Sequence, residues 1–405
     1  MPSSPGTRVT GRLPATDPEP IPNTLWANMS RVLVASDCST GMRVARGPYS
    51  IERKAFARHS QEHRKEDAAH HIKSSPTSVS PSFSCSFPLN MASTLMRALA
   101  ILSLAVSSAL ASLPTTTIYQ SPAMLPFENI AVRASGQLLL TSVYSPVLYS
   151  LDASSGTLTE VITVGGGATS LLGISEFSAD NFAVVAAEFN ATTDTEVGGT
   201  VAIWHVASLP SFVIGANGLS AIFGSNTVFV ADSGSGTIFI IDMSSGAVAV
   251  GVQAAALEPV GQLLGVNGLK VSESTVYFTN SAQGTFGSIQ ILPSSSGPTL
   301  NASSITTLGT LEDGAPSAQH LFDDLAVDTE GRAWVAVHPG SISLFTPNDD
   351  EADWIQTDAI VGDTDDYNVF VVPTSCAFGR TPSDATTLYV TTDGGQVVAV
   401  DTSGV

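Results

Sequence analysis

The feature that most constrains this chain is that its C-terminal three quarters repeat. "ENIAVRASGQLLLTSVYSPVLYSLDASSGTL" starts at Glu128, "NGLSAIFGSNTVFVADSGSGTIFIIDMSSGAV" at Asn217 and "NGLKVSESTVYFTNSAQGTFGSIQIL" at Asn267. "DDLAVDTEGRAWVAVHPGSISLF" starts at Asp323 and "TSCAFGRTPSDATTLYVTTDGGQVVAVDTSG" at Thr374, with a worn copy near Gly173. In each unit a polar residue opens a short apolar strand. A Gly/Ser/Asn turn follows, then a β-branched strand, a second turn and an alternating strand. Repeats of roughly 40–50 residues with four short strands are the blades of a β-propeller. The expectation is therefore an all-β, six-bladed β-propeller with a central metal-binding tunnel. "TTTIYQ" at 115–120 is a spare strand that would complete the last blade and close the ring.

Charge divides the chain. Residues 1–90 carry 11 Lys+Arg and 7 Asp+Glu, whereas 112–405 carry 4 Lys+Arg and 29 Asp+Glu, a formal charge of 4 − 29 = −25. Between them, "MASTLMRALAILSLAVSSALASLP" from Met91 has a short apolar run and an Ala109-Leu110-Ala111 cleavage site, the form of a secretory signal peptide. This sets three expected segments: 1–90 a gene-model extension or disordered leader, 91–111 a signal peptide, and 112–405 the propeller. The mature chain keeps only Cys376, so no internal disulfide is expected. Asn190-Ala-Thr and Asn301-Ala-Ser are N-glycosylation sequons of a secreted glycoprotein. The negative charge speaks against nucleic acid and against stable membrane association, and leaves a small-molecule substrate and a monomer as the expected partnership.

The innermost strand of each blade begins at one mouth of the ring. The residues expected there are Glu128, Gly173, Asn217, Asn267, Asp323 and Thr374. Glu128, Asn217, Asn267 and Asp323 bring two carboxylates and two amides, a set suited to Ca²⁺ or another hard divalent cation. Asn-Gly is also a common tight-turn dipeptide, which is the competing reading of Asn217-Gly218 and Asn267-Gly268. A cation would also account for the adjacent acids Asp323 and Asp324.

The turns after the second strands offer a polar rim: Tyr144, Ser145, Asp232, Ser233, Asn280, Ser281, His338 and Pro339. Of these, Tyr144, Asp232 and Asn280 are the candidates for substrate recognition. Asp323, Asp324 and His338 are the candidates for taking a proton from water. His320 is a lesser one, and His205 reads as structural. Asp152, Asp242 and Asp401 read as turn caps. Ser375 stands in "TSCAF", not in a G-x-S-x-G elbow, and no P-loop, CxxC or HExxH occurs. The acidic stretch 348–367 reads as a solvated crossing between blades five and six.

These residues resemble a family. "ENIAVR", the two "NGL" openings, "DDLAVD…GRAWVAV" and "PTSCAFG…TLYVTT" look like the senescence-marker-protein (regucalcin)/gluconolactonase/luciferin-regenerating-enzyme family, as a secreted, fungal-type member. Paraoxonase and diisopropyl fluorophosphatase are more distant relatives. The resemblance covers nearly all of 115–405. It implies a six-bladed propeller and a divalent-metal hydrolase, with Glu128, Asn217, Asn267 and Asp323 as ligands. Gly215 and Gly218 stand where sugar-lactone members carry an Arg and an acid, which speaks against a sugar lactone and leaves a more apolar or different lactone or ester open. The alternative is a non-catalytic propeller that binds a small molecule or partner around a structural calcium ion, accessory to a fungal-type secondary metabolism.

Overall fold

The computed structural model describes residues 112–190, 195–202, 213, 215–311, 316–348, 354–363, 367 and 369–405. The leader 1–90, the signal segment 91–111 and His205 lie outside the described residues. Among the described residues there are 24 strands and two single-turn 3₁₀ segments, and no helix long and apolar enough to cross a membrane.

The strands form six antiparallel sheets, most of them up-and-down meanders. Their innermost strands are Ile130–Val132, Ser170–Ser178, Ala216–Ala221, Val266–Ser272, Phe322–Val327 and Pro373–Phe378. These six touch one another in chain order, and the last touches the first, which makes the arrangement a β-propeller. Five sheets have four or more strands. Where a sixth complete blade was expected, the sheet Ser170–Ser178, Asn181–Asn190, Thr195–Ala202 has three. Most of the chain that joins it to the next sheet, 203–212, lies outside the described residues.

Thr115–Gln120 pairs antiparallel with Gln396–Asp401, Thr115 opposite Val400, so the last sheet is built from both ends of the propeller segment. That pairing covers an edge that would otherwise be open. One expectation changes here. Trp354–Gly362, inside the acidic stretch 348–367, is the outer strand of the fifth sheet, not a crossing. Its Ile360 and Val361 are buried against that sheet, which outweighs the acidic flanks.

Packing follows the ring. Six apolar clusters each lie between two neighbouring sheets. Phe286, Phe322 and Phe345, all fully buried, join the fourth sheet to the fifth, with ring centroids of Phe286 and Phe345 4.7 Å apart. Each such side chain contributes about 1.5–3 kcal/mol by leaving water. Hydroxyls add a polar seam. Ser233 Oγ donates to Val266 O at 2.7 Å, Ser281 Oγ to Phe322 O at 2.7 Å and Thr374 Oγ1 to Phe127 O at 2.7 Å, each from one sheet to the start of the next. Asp152, Asp242 and Asp401 cap turns as expected, Asp152 Oδ1 accepting from Ser154 N–H and Oγ–H.

Candidate functional site

Every inner strand carries the same irregularity at its start. Asn267 and Gly268 together face one residue of the neighbouring strand, because Val266 pairs with Asn280 and Leu269 with Phe278. Asp323 and Asp324 do the same between Phe322 and Leu325, and Asn217 and Gly218 between Ala216 and Leu219. In the first sheet Glu128 N–H donates to Thr141 O while Thr141 N–H donates to Asn129 O. These are β-bulges, which bend a strand and re-aim its side chains. The Asn-Gly pairs are therefore bulges inside strands and not hairpin turns. In the second sheet the bulge spans Leu172 and Gly173. The residue in register with Asn217 and Asp323 is thus Leu172, and Gly173 belongs to the second position.

That second position, Asn129, Gly173, Gly218, Gly268, Asp324 and Ser375, packs one sheet against the next. A Cβ on Gly218 would lie 2.0 Å from Asn267 O, one on Gly173 2.5 Å from Asn217 O, and one on Gly268 2.5 Å from Asp324 Oδ1. Three glycines let the strands close in, and three polar side chains occupy the other half of the ring. Asn129 Nδ2 donates to Asp324 Oδ2 at 2.6 Å, and Leu325 N–H to Asp324 Oδ1 at 2.7 Å. Ser375 Oγ lies 3.2 Å from Asn129 Oδ1 and 3.3 Å from Asp324 Oδ2, and its single proton serves one of them at a time. Burial pushes the Asp324 carboxyl above its ordinary value. The charge of Lys270 and the hydrogen bonds from Asn129 and Leu325 oppose that shift, and the charge of Asp323 adds to it. Asp324, expected as a proton acceptor, is instead 4% exposed and committed to this cluster. Cys376 beside it is buried, with its thiol pushed up by burial.

The first position brings Asp323 against Asn267, and Asp323 also meets His338. Asp323 is 7% exposed. Its Oδ1 accepts from Asn267 Nδ2 at 2.9 Å, and its Oδ2 lies 3.1 Å from His338 Nε2. Asn267 Nδ2 also donates to Ser281 Oγ at 2.9 Å. Since the Ser281 proton goes to Phe322 O, Ser281 must accept here, and this fixes which end of the Asn267 amide is nitrogen. Both Nδ2 protons are then used, and Asn267 Oδ1 has no partner among the described residues. The Asn217 side chain, 8% exposed, makes no hydrogen bond among them either. Glu128 sits half-buried in the same register. Two amide oxygens without partners among the described residues, on side chains nearly out of water and in register with two carboxylates, suit a hard cation that takes oxygen ligands. Among the described residues no three His, Cys, Asp or Glu side chains cluster, so such a site would depend on the amides.

The expected rim is only partly there. Asp232 is fully buried, its Oδ1 accepting from Gly234 and Ser235 N–H in its own turn. Asn280 is also buried, its Nδ2 donating to Ala256 O and Glu258 O. Both are revised from recognition residues to turn and loop anchors. Tyr144 is 48% exposed and packs edge-on against Phe189, ring centroids 5.5 Å apart. Thr374 turns its hydroxyl to the Phe127 carbonyl, and His320 sits in a small turn closed by Ser317. Sequence reading placed Ser281 in the polar rim without its hold on Asn267, and missed the Asn129–Ser375 half of the inner cluster. The signal for the latter was the residue after each strand opener, which is Gly in three units and polar in three.

No protein-family model matches the chain, and no curated protein does. Solved structures do. A Bacteroides thetaiotaomicron protein of unknown function superposes with a TM-score of 0.50 at 12% identity, over 71% of this chain and 75% of that one. A protein assigned as a gluconolactonase gives 0.49 at 12%, over 72% and 93%. The calcium-binding protein regucalcin from Agrobacterium tumefaciens gives 0.48 at 17%, over 71% and 93%. The first likeness is one of fold alone, and the two weaker ones carry no further weight.

Proposed function

We propose that the chain is a secreted, calcium-dependent hydrolase of a lactone or ester, working at the mouth of a propeller whose six sheets count as six blades. The observation that carries it is the grip of Asp323 on both Asn267 and His338, beside the amide oxygens of Asn217 and Asn267, which have no partner among the described residues. Glu128, Asn217, Asn267 and Asp323 would hold the cation. When bound, it would polarise a carbonyl oxygen as a Lewis acid.

The side chains supply the rest. A carboxylate only accepts, so His338 Nε2 carries the proton shared with Asp323 Oδ2, and the lone pair of the neutral ring is on Nδ1. Nδ1 has no partner among the described residues. It takes a proton from water as the water oxygen bonds to the carbonyl carbon. The same proton then passes to the leaving oxygen as the C–O bond breaks. Asp323 holds the ring in place and stabilises its charged form, and Ser281 holds Asn267.

Purified protein should hydrolyse some member of a panel of lactones, aryl esters and organophosphates. The activity should vanish with a chelator and return with Ca²⁺. If nothing in the panel turns over while a small ligand still raises the melting temperature, the protein is a binding propeller and not a hydrolase.

A further inference from the structure

Between residues 112 and 405 there are only four cationic side chains other than histidine, and none of the four is at the start of an inner strand. Each inner strand starts at the mouth, so the turn to the second strand is on the far face. Arg133, Arg332 and Arg380 are all in such turns. Arg133 pairs with Asp180 and Gln137, Arg332 with Asp328, and Arg380 with Glu176 and the Val132 carbonyl. Arg133 and Arg380 share a far-face cavity of about 310 Å³ with Phe223. Lys270 is three residues beyond Asn267 on its strand, where its charge acts on buried Asp324 and Cys376.

The mouth side has the opposite character. Glu188, Glu258, Asp363 and Asp393 are exposed on the second-strand ends and connections that surround it. Within it, the amides of Asn217 and Asn267 carry no charge. A divalent ion held by Glu128 and Asp323 would be balanced by their two charges, leaving no surplus positive charge for a carboxylate or phosphate. An anion entering would lose water without gaining a counter-charge, in a field of its own sign. The Tyr144–Phe189 pair at the rim instead offers an aromatic face, which favours apolar groups and cations.

We propose that the mouth selects uncharged or cationic lactones and esters and turns away anionic ones, with the sorting done by the placing of every Arg on the opposite face and of Lys270 further down its inner strand, against buried Asp324. This rests on the hydrolase reading above for its substrate class, but the sorting itself can be measured without turnover. The first arm compares 4-nitrophenyl acetate with analogues bearing a carboxylate or a trimethylammonium group, using the full chain with Ca²⁺. At low salt the anionic ester should show kcat/KM at least about tenfold below the neutral one. Raising ionic strength toward 1 M, where the screening length falls to about 3 Å, should narrow the gap. Glu188→Lys should narrow it as well. Equal rates for anionic and neutral esters at low salt would overturn the proposal.

The second arm needs no substrate. In Tyr144→Trp the added fluorescence reports on the mouth, and in Phe223→Trp, at a position 62% exposed in the native chain, on the far face. Caesium should quench the mouth reporter more strongly than iodide, with a smaller preference at the far face. If no ester is hydrolysed but this contrast holds, the hydrolase reading fails and the charge sorting stands. If iodide quenches the mouth reporter as well as caesium does, the sorting is wrong whatever the first arm shows.

Discussion

His338 and Asp323 are joined at 3.1 Å, Nε2 to Oδ2, across the hairpin of the fifth sheet. The same carboxylate holds Asn267 through its other oxygen. On the proposed hydrolase reading, Asp323 would serve both the proton acceptor and the cation ligands, and His338 would act on the proton alone. His338→Ala should lower kcat by about 10²–10⁴ and leave Ca²⁺ affinity nearly unchanged. Asp323→Asn should lower both. Calcium titration by calorimetry beside steady-state kinetics separates the two, and equal effects of both variants on affinity would contradict the assignment.

Ser281 lies one step further out. Its hydroxyl donates to Phe322 O and accepts from Asn267 Nδ2. Ser281→Ala leaves a buried carbonyl and one amide proton unpaired, which should destabilise the fold by about 1–3 kcal/mol. It also frees the Asn267 amide to turn, so Ca²⁺ affinity should fall, and Ser281→Thr should restore most of it. Chemical denaturation and calcium titration read the two effects. A stability loss with unchanged affinity would leave Ser281 a purely structural residue.

The glycines of the inner ring are a matter of space. Gly218 has no positive φ, yet an added Cβ would meet Asn267 O at 2.0 Å. Gly218→Ala must push two sheets apart and should destabilise by about 1–3 kcal/mol or more. Gly404, with nothing within 4 Å of its Cβ position, should tolerate alanine with little change. Melting temperatures of the two variants give the comparison.

The repeat made the ring legible before any coordinates, because each unit names its strands by alternation and its turns by glycine. Closure by 115–120 was legible too, as a strand with no partner in its own unit. The bulges were not. A bulge adds one residue to one strand, and the "DD" and "NG" pairs look the same with or without it. That is why Asp324 read as a second mouth carboxylate when it is a buried neighbour of Asn129 and Ser375. It is also why Gly173 was set one position out of register. Asp232 and Asn280 misled for a different reason. A polar residue at a strand end can face a ligand or cap its own turn, and only the fold shows that both are buried and capping.

Asp324 should leave a mark on the pH dependence of stability. Its carboxyl is raised in the fold, chiefly by burial, above the ordinary 3.8. Its contribution is therefore fully present below that value and is lost as pH rises through the folded one. Asp324→Asn has no charge to bury, so its melting temperature should fall less than the parent's as pH rises from about 4 toward neutrality. Parallel pH curves for the two proteins would mean the carboxyl is not raised.

The central claim is that one cation is held at the mouth by the first residues of the bulges. Crystals of the protein grown with Ca²⁺ and measured for anomalous scattering test it most directly. The account predicts one strong peak with oxygens of Glu128, Asn217, Asn267 and Asp323 around it at about 2.3–2.6 Å. A mouth with no peak at saturating Ca²⁺, or a peak bound only by other residues, would contradict it.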